Sequence, residues 1–300
     1  MSALSDQLLV ATILTYLAAM VCYASVYTLD RALVGAGAPV PAAPAASGGS
    51  RAAELAGRAA LVATVVGVAA HLATLVTRGL AAGRVPWGNM YEFVLAVTFV
   101  GAVAWLVLVV RRPEVRRLGL YVSLTLMLLL GVAGLLLYTA VSPLVPALNS
   151  YWLVIHVTAA VLATGIFLVG FVVAAMYLVR NAHERDANKF AFAARLPRAD
   201  VLEPLAFRLH TVAFPIWTFA VAAGAIWAEA AWGRYWGWDP KEIWAFISWV
   251  VYAGYLHARA TPSVRRTVAT WIAIVGWLTM LMNLFGVNIF FVGFHSYAGV

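Results

Sequence analysis

A short stretch near the end of the sequence gathers four aromatic residues and two cations. The aromatic residues are Trp232, Tyr235, Trp236 and Trp238, and the cations are Arg234 and Lys241. Glycines at positions 233 and 237 lie among them, and glycine lets a backbone turn tightly or approach a flat ligand closely. Aromatic faces stack on a planar apolar ligand, and cations pair with its carboxylates. The stretch therefore predicts a binding surface for a large planar anion such as heme; the alternative is a belt of aromatic residues at the lipid headgroups.

The same stretch carries the signal for the start of a helix. Asp239 is a favourable N-cap residue, Pro240 suits the first helical position, and Glu242 completes a capping box. We therefore expect a helix to begin at Asp239, with the aromatic residues in the loop before it.

The composition places this loop in a membrane protein. Hydrophobic residues make up 64% of the chain and charged residues 11%, and the mean hydropathy is +0.90. Soluble domains are about half apolar and a quarter charged. The single cysteine, Cys22, excludes an intramolecular disulfide framework and a C-x-x-C site, and its position in an apolar run predicts a packed core residue.

The apolar residues form eight runs of sufficient length to cross a bilayer, which takes about 20 helical residues. We therefore predict an all-α polytopic protein with one membrane domain over residues 1–300. The predicted segments are 6–29, 54–77, 89–110, 118–141, 151–179, 209–230, 242–258 and 267–290.

Three connections between these segments have distinct compositions. Residues 35–50 are small, rich in proline and glycine and uncharged, which predicts a flexible cytoplasmic linker. Residues 180–208 form a long charged connection, also expected on the cytoplasmic side. Residues 231–242 form the Trp-rich loop on the outer side.

Lysine and arginine are unevenly distributed between the two sides of this predicted bundle. If the N-terminus lies outside, the outer connections hold Arg78, Arg84, Arg234 and Lys241, and the rest of the 20 basic residues fall in the inner connections. Cytoplasmic connections of membrane proteins are enriched in lysine and arginine. We therefore predict that both termini and the Trp-rich loop face the periplasmic or extracytoplasmic side of the cell membrane. The net charge of +8 then reflects topology, and no nucleic-acid partner is expected.

Two histidines are predicted to flank the Trp-rich loop, and histidine is a common axial ligand of heme iron. His156 lies near the outer end of helix five, and His295 lies just beyond helix eight. A lone histidine near a helix end is usually structural, but two at matching depth beside an aromatic surface favour ligation of iron.

The other four histidines are predicted at different depths. His257 lies near the inner end of helix seven, and His71 lies in the outer half of helix two. An ionisable group within a membrane marks a pathway or a site by default. His183 and His210 lie in or beside the inner polar connection, and we expect both to be solvated.

The loop and two further segments carry a resemblance to a known family. The run from Trp232 to Glu242 is similar to the WWD motif of heme-handling membrane proteins, W-G-x-Y-W-x-W-D-P-K-E. Pro86-Trp-Gly-Asn-Met-Tyr-Glu92 resembles a P-W-S-N-M-Y-E segment, with Gly88 in place of serine, and Phe294-His-Ser-Tyr297 resembles G-x-H-S-Y-G. Together, these segments make the chain resemble the CcsA/ResC family of system II cytochrome c biogenesis, called CcsB in some bacteria. The resemblance covers most of residues 60–300.

The resemblance implies roles for the histidines. The family places ligands of an external heme at the positions of His156 and His295, and a ligand of a membrane-embedded heme at that of His257. The helix rise puts His71 and His257 about 10–15 Å apart in depth, too far for one iron. We therefore expect the second inner ligand to come from a ResB-type membrane partner, and His71 is either a relay ligand or a packed histidine.

The function that the resemblance implies is heme handling in cytochrome c maturation. The chain would receive heme b (iron protoporphyrin IX) from the inner side, hold it at the outer face and present it to the C-x-x-C-H segment of apocytochrome c. It would thus be a component of a cytochrome c synthase, or heme lyase, with no catalytic residue of its own. The alternatives are a heme exporter without a role in ligation, a non-catalytic scaffold, and the system I relatives that share the Trp-rich loop.

Overall fold

The computed structural model describes residues 1–34, 51–142 and 150–294, with the backbone alone for 30–34. The linker 35–50 and His295 lie outside the described residues. Within the described ranges the regular structure is helical, which confirms the predicted all-α class. The long helices are α1 Ser2–Val34, α2 Arg51–Ala82, α3 Met90–Arg111, α4 Gly119–Leu136, α5 Tyr151–Arg185, α6 Ala199–Trp232, α7 Pro240–Ala260 and α8 Arg266–Leu281.

Four shorter helical pieces complete the described part of the chain. A 3-10 helix over Pro113–Leu118 leads into α4, and another over Ala191–Arg195 lies between α5 and α6. A π-helical turn over Met282–Gly286 follows α8 and continues into α9, Val287–Phe290. Because α8, the π-helical turn and α9 are continuous, they form one segment across the bundle.

Seven of the described helical segments are long and apolar enough to cross a membrane. The helix α7 is not among them, although its 21 residues give it sufficient length. It carries Lys241 and Glu242 in its first turn and His257 and Arg259 in its last. With α7 included, the architecture has about eight helices, as predicted.

Long-range hydrogen bonds show which helix termini lie together at each end of the bundle. At the end that carries the Trp-rich loop, here called the aromatic end, the Tyr138 hydroxyl donates to Asp6 Oδ2 at 3.1 Å. At the opposite end, here called the basic end, the Tyr27 hydroxyl donates to the Arg117 carbonyl and Arg195 donates to the Tyr27 carbonyl. Consecutive helices therefore alternate in direction, and α3, α5 and α7 begin at the aromatic end.

The helix α5 lies at the centre of the bundle and packs along α6 and against α3 and α8. Where it crosses α3, a Cβ atom on Gly165 would lie 2.6 Å from Val100 Cβ, so a glycine is needed for the two backbones to approach. Small residues at such crossings are typical of helix packing in membranes, where close van der Waals contact drives association. The position of α5 matters because this helix carries His156.

The prediction that His210 is solvated is wrong. The helix α6 begins at Ala199 rather than near residue 209, which places His210 inside the bundle, where it is fully buried. Its Nδ1 donates to the Ala206 carbonyl at 2.7 Å, and its ring packs against Tyr255. The charged residues and prolines between residues 198 and 208 favoured the prediction of a loop. In the structure, residues 199–208 belong to α6.

The helix α6 extends to Ala199 although Pro204 and Pro215 lie in its interior, where each removes one backbone donor. The carboxylate of Glu203 forms a bidentate ion pair with the Arg259 guanidinium of α7. The pairing removes the penalty for an isolated charge near the membrane.

Candidate functional site

A cavity of about 190 Å³ opens at the aromatic end, between α3, α5, α6, α7 and the π-helical turn. Its walls are mostly apolar and rich in aromatic rings. The side chains that matter for its chemistry are Trp87, Asn89, Met90, His156, Trp217, Trp227, Trp232, Tyr235, Trp236, Lys241, Glu242 and Asn283. Ligand pockets typically have volumes of about 300–1,000 Å³, so a porphyrin would project from this cavity or displace residues at its rim.

The Trp-rich loop is folded back on itself by the first turn of α7. The carboxylate of Glu242 accepts hydrogen bonds from the backbone N–H groups of Gly237 at 2.8 Å and Asp239 at 3.0 Å. Asp239 caps the helix in return, which confirms the predicted capping box. The chain enters the loop through Gly233, whose φ of +71° is a left-handed conformation that glycine adopts without strain.

Three of the four predicted aromatic residues reach the cavity. Trp232, Tyr235 and Trp236 contribute to its wall, and the Tyr235 ring also remains 62% exposed. Trp238 points away, is 66% exposed and meets the Trp236 ring edge-on at 5.8 Å. The loop thus presents a partly open aromatic surface rather than a closed stack.

The two cations of the loop have different surroundings. Lys241 lines the cavity, and its Nζ donates to the Asn283 carbonyl in the π-helical turn at 3.1 Å. The Arg234 guanidinium lies over the Phe294 ring, 4.5 Å from the ring centre, and Arg234 is not among the lining residues. Lys241 is therefore the better placed of the two to meet an anionic group within the cavity. The π-helical turn is typical of functional sites and had no signal in the sequence.

His156 projects from α5 into the cavity and is held in one orientation by α6. Its Nδ1 lies 2.8 Å from the carbonyl oxygen of Ala220. Because a carbonyl can only accept, Nδ1 carries a proton and donates it in this hydrogen bond. The ring lies parallel to the Trp227 indole, with 6.0 Å between ring centres. A histidine that donates one ring N–H to a backbone carbonyl has the arrangement typical of metal ligands.

The segment that leads to His295 is attached to the Trp-rich loop. The backbone N–H of Phe294 donates to Asp239 Oδ1 at 2.7 Å, and the Phe294 ring packs on Trp232. His295 itself lies outside the described residues, so its pairing with His156 stays a prediction. Its neighbour Phe294 nevertheless packs on Trp232, which lines the cavity.

A buried ion cluster that the sequence did not reveal fixes the segment before α3. Glu92 is fully buried and accepts from Arg78 Nε at 3.0 Å, from Arg84 at 2.7 Å and from the Gly88 N–H at 2.8 Å. Asn89 caps α3 through its side chain. Because Gly88 and Asn89 line the cavity, the cluster positions one wall of the site.

The remaining two candidate histidines lie outside this cavity. His71 is fully buried, with Nδ1 3.3 Å from the Tyr16 hydroxyl and its ring against Phe99. Its Nε2 has no hydrogen-bond partner among the described residues. The burial and the ring contacts fit a packed histidine, whereas the unpaired Nε2 fits a relay ligand, so both alternatives stay predictions. His257 is exposed on α7 in the last turn before the basic end.

Three residues of α6 that line the cavity, Trp217, Gly224 and Trp227, were not among the predicted site residues. Trp217, Gly224 and Trp227 recur at helical spacing and all reach the cavity. This periodicity was visible in the sequence, but a transmembrane helix shows similar spacing wherever it packs against a neighbour. Only the contact with His156 separates them from ordinary packing residues.

The donor set of the cavity fits a porphyrin better than a metal ion held by protein groups alone. Within residues 1–34, 51–142 and 150–294, no group of three or more histidine, cysteine or carboxylate side chains converges to hold a metal. A porphyrin brings four nitrogen ligands of its own and needs only axial ones, which His156 Nε2 can supply. The aromatic walls suit its faces, and Lys241 suits its propionates.

A family model and individual relatives, compared with this chain, agree with each other. The model of the family described as cytochrome C assembly protein matches residues 87–295. The chain is 33% identical over 239 residues to the cytochrome c biogenesis protein CcsA of Guillardia theta, covering 74% of this chain and 79% of that protein. It is 31% identical over 277 residues to the protein of the same name from Porphyra purpurea, covering 80% and 86%.

A solved structure shares the fold. The protein titled cytochrome c heme lyase CcmF superposes with a TM-score of 0.67 at 17% sequence identity. The match covers 95% of this chain and 46% of that chain, so the present chain spans about half of the longer protein. At this identity the likeness concerns the fold alone.

Proposed function

Since this chain belongs to the cytochrome c assembly protein family, we propose that it holds heme b at its aromatic end and presents it for attachment to apocytochrome c. The observation that carries the proposal is the orientation of His156. Its Nδ1 donates to the Ala220 carbonyl at 2.8 Å, and a histidine oriented in this way by a backbone carbonyl has the arrangement typical of metal ligands. An aromatic cavity with a lysine in its wall surrounds this imidazole.

The protein groups have distinct tasks in this proposal. His156, and His295 beyond the described residues, would hold the heme iron, while Trp232 and Trp236 would exclude water from the porphyrin. Lys241 would offer a positive charge to a propionate, while Arg234 stays over the Phe294 ring outside the cavity wall. When bound, heme supplies the vinyl groups to which the thiols of a C-x-x-C-H segment add; the protein orients and shields it.

A second heme-binding position at the basic end requires a partner, and we propose that a ResB-type membrane protein supplies it. His257 lies on an exposed face of α7 together with Phe246 and Val250, which are 45% and 47% exposed. Spacings of four and seven residues place all three on one side of the helix. His71 is buried in a different part of the bundle and does not cover this side of α7. The exposed face of α7 that carries His257 is therefore open to another chain.

The visible spectrum of the purified chain, alone and with its partner, tests this division of labour. We expect the isolated chain to retain at most the aromatic-end heme, because the His257 position lacks a second ligand. The heme at the basic end, called here the inner heme, should appear only in the complex. His257→Gly should remove the inner heme there while leaving the aromatic-end heme. His183→Gly, at the same end of the bundle, is the matched control and should keep both. Two low-spin hemes in the isolated chain, or an inner heme as sensitive to His71→Gly as to His257→Gly, would contradict the proposal.

The uneven distribution of basic residues supports an orientation with the aromatic end outside the cell membrane, and labelling of single cysteines tests it. In a Cys22→Ala background, Tyr235→Cys should react with a membrane-impermeant maleimide added to intact spheroplasts. Asn188→Cys, exposed at the basic end, should react only after the membrane is permeabilised. The physical basis is the retention of lysine and arginine on the cytoplasmic side. Labelling of Asn188→Cys but not Tyr235→Cys in intact spheroplasts would reverse the topology and place the candidate heme site inside.

A further inference from the structure

One face of α6 makes three separate contacts with the imidazole of His156. Ala220 accepts the Nδ1 proton through its backbone carbonyl at 2.8 Å, and Trp227 lies parallel to the ring. Between them lies Gly224, where a Cβ atom would be 2.8 Å from Cε1 and 2.9 Å from Nδ1 of His156. Spacings of four and three residues place the three contacts on the same side of the helix.

We propose that Gly224 is a positioning residue for the iron ligand His156, because only a residue without a side chain leaves the space that the oriented imidazole occupies. The inference rests on the proposed function, since it assigns Gly224 a role in presenting the ligand. Gly224 itself also lines the cavity, so the absence of its side chain keeps the space beside the imidazole open.

The steric argument depends on how firmly the ring is held. A methyl group at position 224 would lie closer to two ring atoms than real Cβ atoms approach their neighbours. The ring moves less readily than the far end of a flexible side chain, because its Nδ1 donates to the Ala220 carbonyl at 2.8 Å and its plane lies parallel to the Trp227 indole. A rotation that relieves the clash also moves Nδ1 relative to the Ala220 carbonyl, so the orientation of the imidazole changes. Ligand geometry tolerates only about 0.5 Å or 10–20° of such displacement.

A general packing role for Gly224 makes a different prediction from a positioning role. Alanine is a better helix former than glycine, so Gly224→Ala does not weaken α6 by itself. If the glycine served only the approach of α5 and α6, its substitution would destabilise the protein whether or not the imidazole were present. If it serves the imidazole, its substitution should matter only while that imidazole is in place.

The first experiment measures heme affinity of the purified full chain by visible absorption. Gly224→Ala is expected to weaken heme binding by about 10- to 100-fold, the range for residues that orient a metal ligand. Gly131→Ala is the matched control, because a Cβ atom on Gly131 meets nothing within 4 Å. Binding by Gly224→Ala equal to that by Gly131→Ala would overturn the proposal.

The second experiment repeats the substitution without the ligand. In a His156→Gly background supplied with free imidazole, Gly224→Ala should cause no further loss of heme, because the exogenous ring is not tethered and can shift. An equal loss in both backgrounds would show that the glycine acts through packing, and would overturn the proposal. If Gly224→Ala alone does not fold, the double variant should fold, since the clashing ring is gone; failure of the double variant as well would also overturn it. Wild-type heme binding by His156→Gly alone would instead refute the proposed function.

Discussion

Replacement of His156 by glycine should abolish stable heme binding at the aromatic end, and added imidazole should restore part of it. The substitution removes the one described imidazole that lines the cavity and leaves a space of matching shape beside Trp227. Free imidazole can enter this space and offer a nitrogen to the iron, although it lacks the orientation that the Ala220 carbonyl gives to His156. We expect a loss in heme affinity of at least about 100-fold, the upper end of the effect of losing only an orienting partner.

The measurement is the visible spectrum of the purified protein with and without millimolar imidazole. The same substitution at His295 should give the same loss, because the family places the other axial ligand there. His183→Gly is the control, since that side chain lies at the basic end, where its Nδ1 meets the Lys189 carbonyl. A wild-type spectrum in the double variant His156→Gly/His295→Gly would remove the basis for a heme site in this cavity.

Glu92→Gln should cause the largest loss of stability among substitutions at the aromatic end. The change keeps the volume of the side chain but removes the charge that Arg78 and Arg84 share, in a site where Glu92 is fully buried and Arg78 is 1% exposed. Removing one partner of a buried ion pair leaves an uncompensated charge and costs about 3–5 kcal/mol. The cost falls on a segment whose Gly88 and Asn89 line the cavity, so heme binding should weaken together with stability.

Thermal unfolding in detergent compares this variant with a matched one. Glu54→Gln breaks the pair of Glu54 with Arg58, whose side chains are 56% and 68% exposed, and such a pair contributes about 0–1 kcal/mol. Glu92→Gln should therefore unfold at a clearly lower temperature than Glu54→Gln. Equal unfolding temperatures would mean that the cluster does not hold the segment before α3.

The features that the sequence predicted correctly depend on residues close to one another along the chain. A run of apolar residues is enough to specify a membrane helix, because a helix satisfies its backbone hydrogen bonds within itself. The capping box from Asp239 to Glu242 needs only four consecutive positions, and the structure contains it as predicted. The resemblance of the Trp-rich loop pointed to the family for the same reason, since its motif is contiguous.

The features that only the tertiary structure decided depend on how each helix is rotated and how far it extends. The extension of α6 to Ala199, which buries His210, also brings Glu203 into an ion pair with Arg259, 56 residues away. The ion cluster of Glu92 and the hold of α6 on His156 likewise join different helices. A sequence fixes which face of a helix is apolar, but a transmembrane helix is apolar nearly all round, so hydrophobic pattern alone does not select its neighbours. Close packing of small residues and buried polar contacts make that selection, and so bring Gly224 and His156 together.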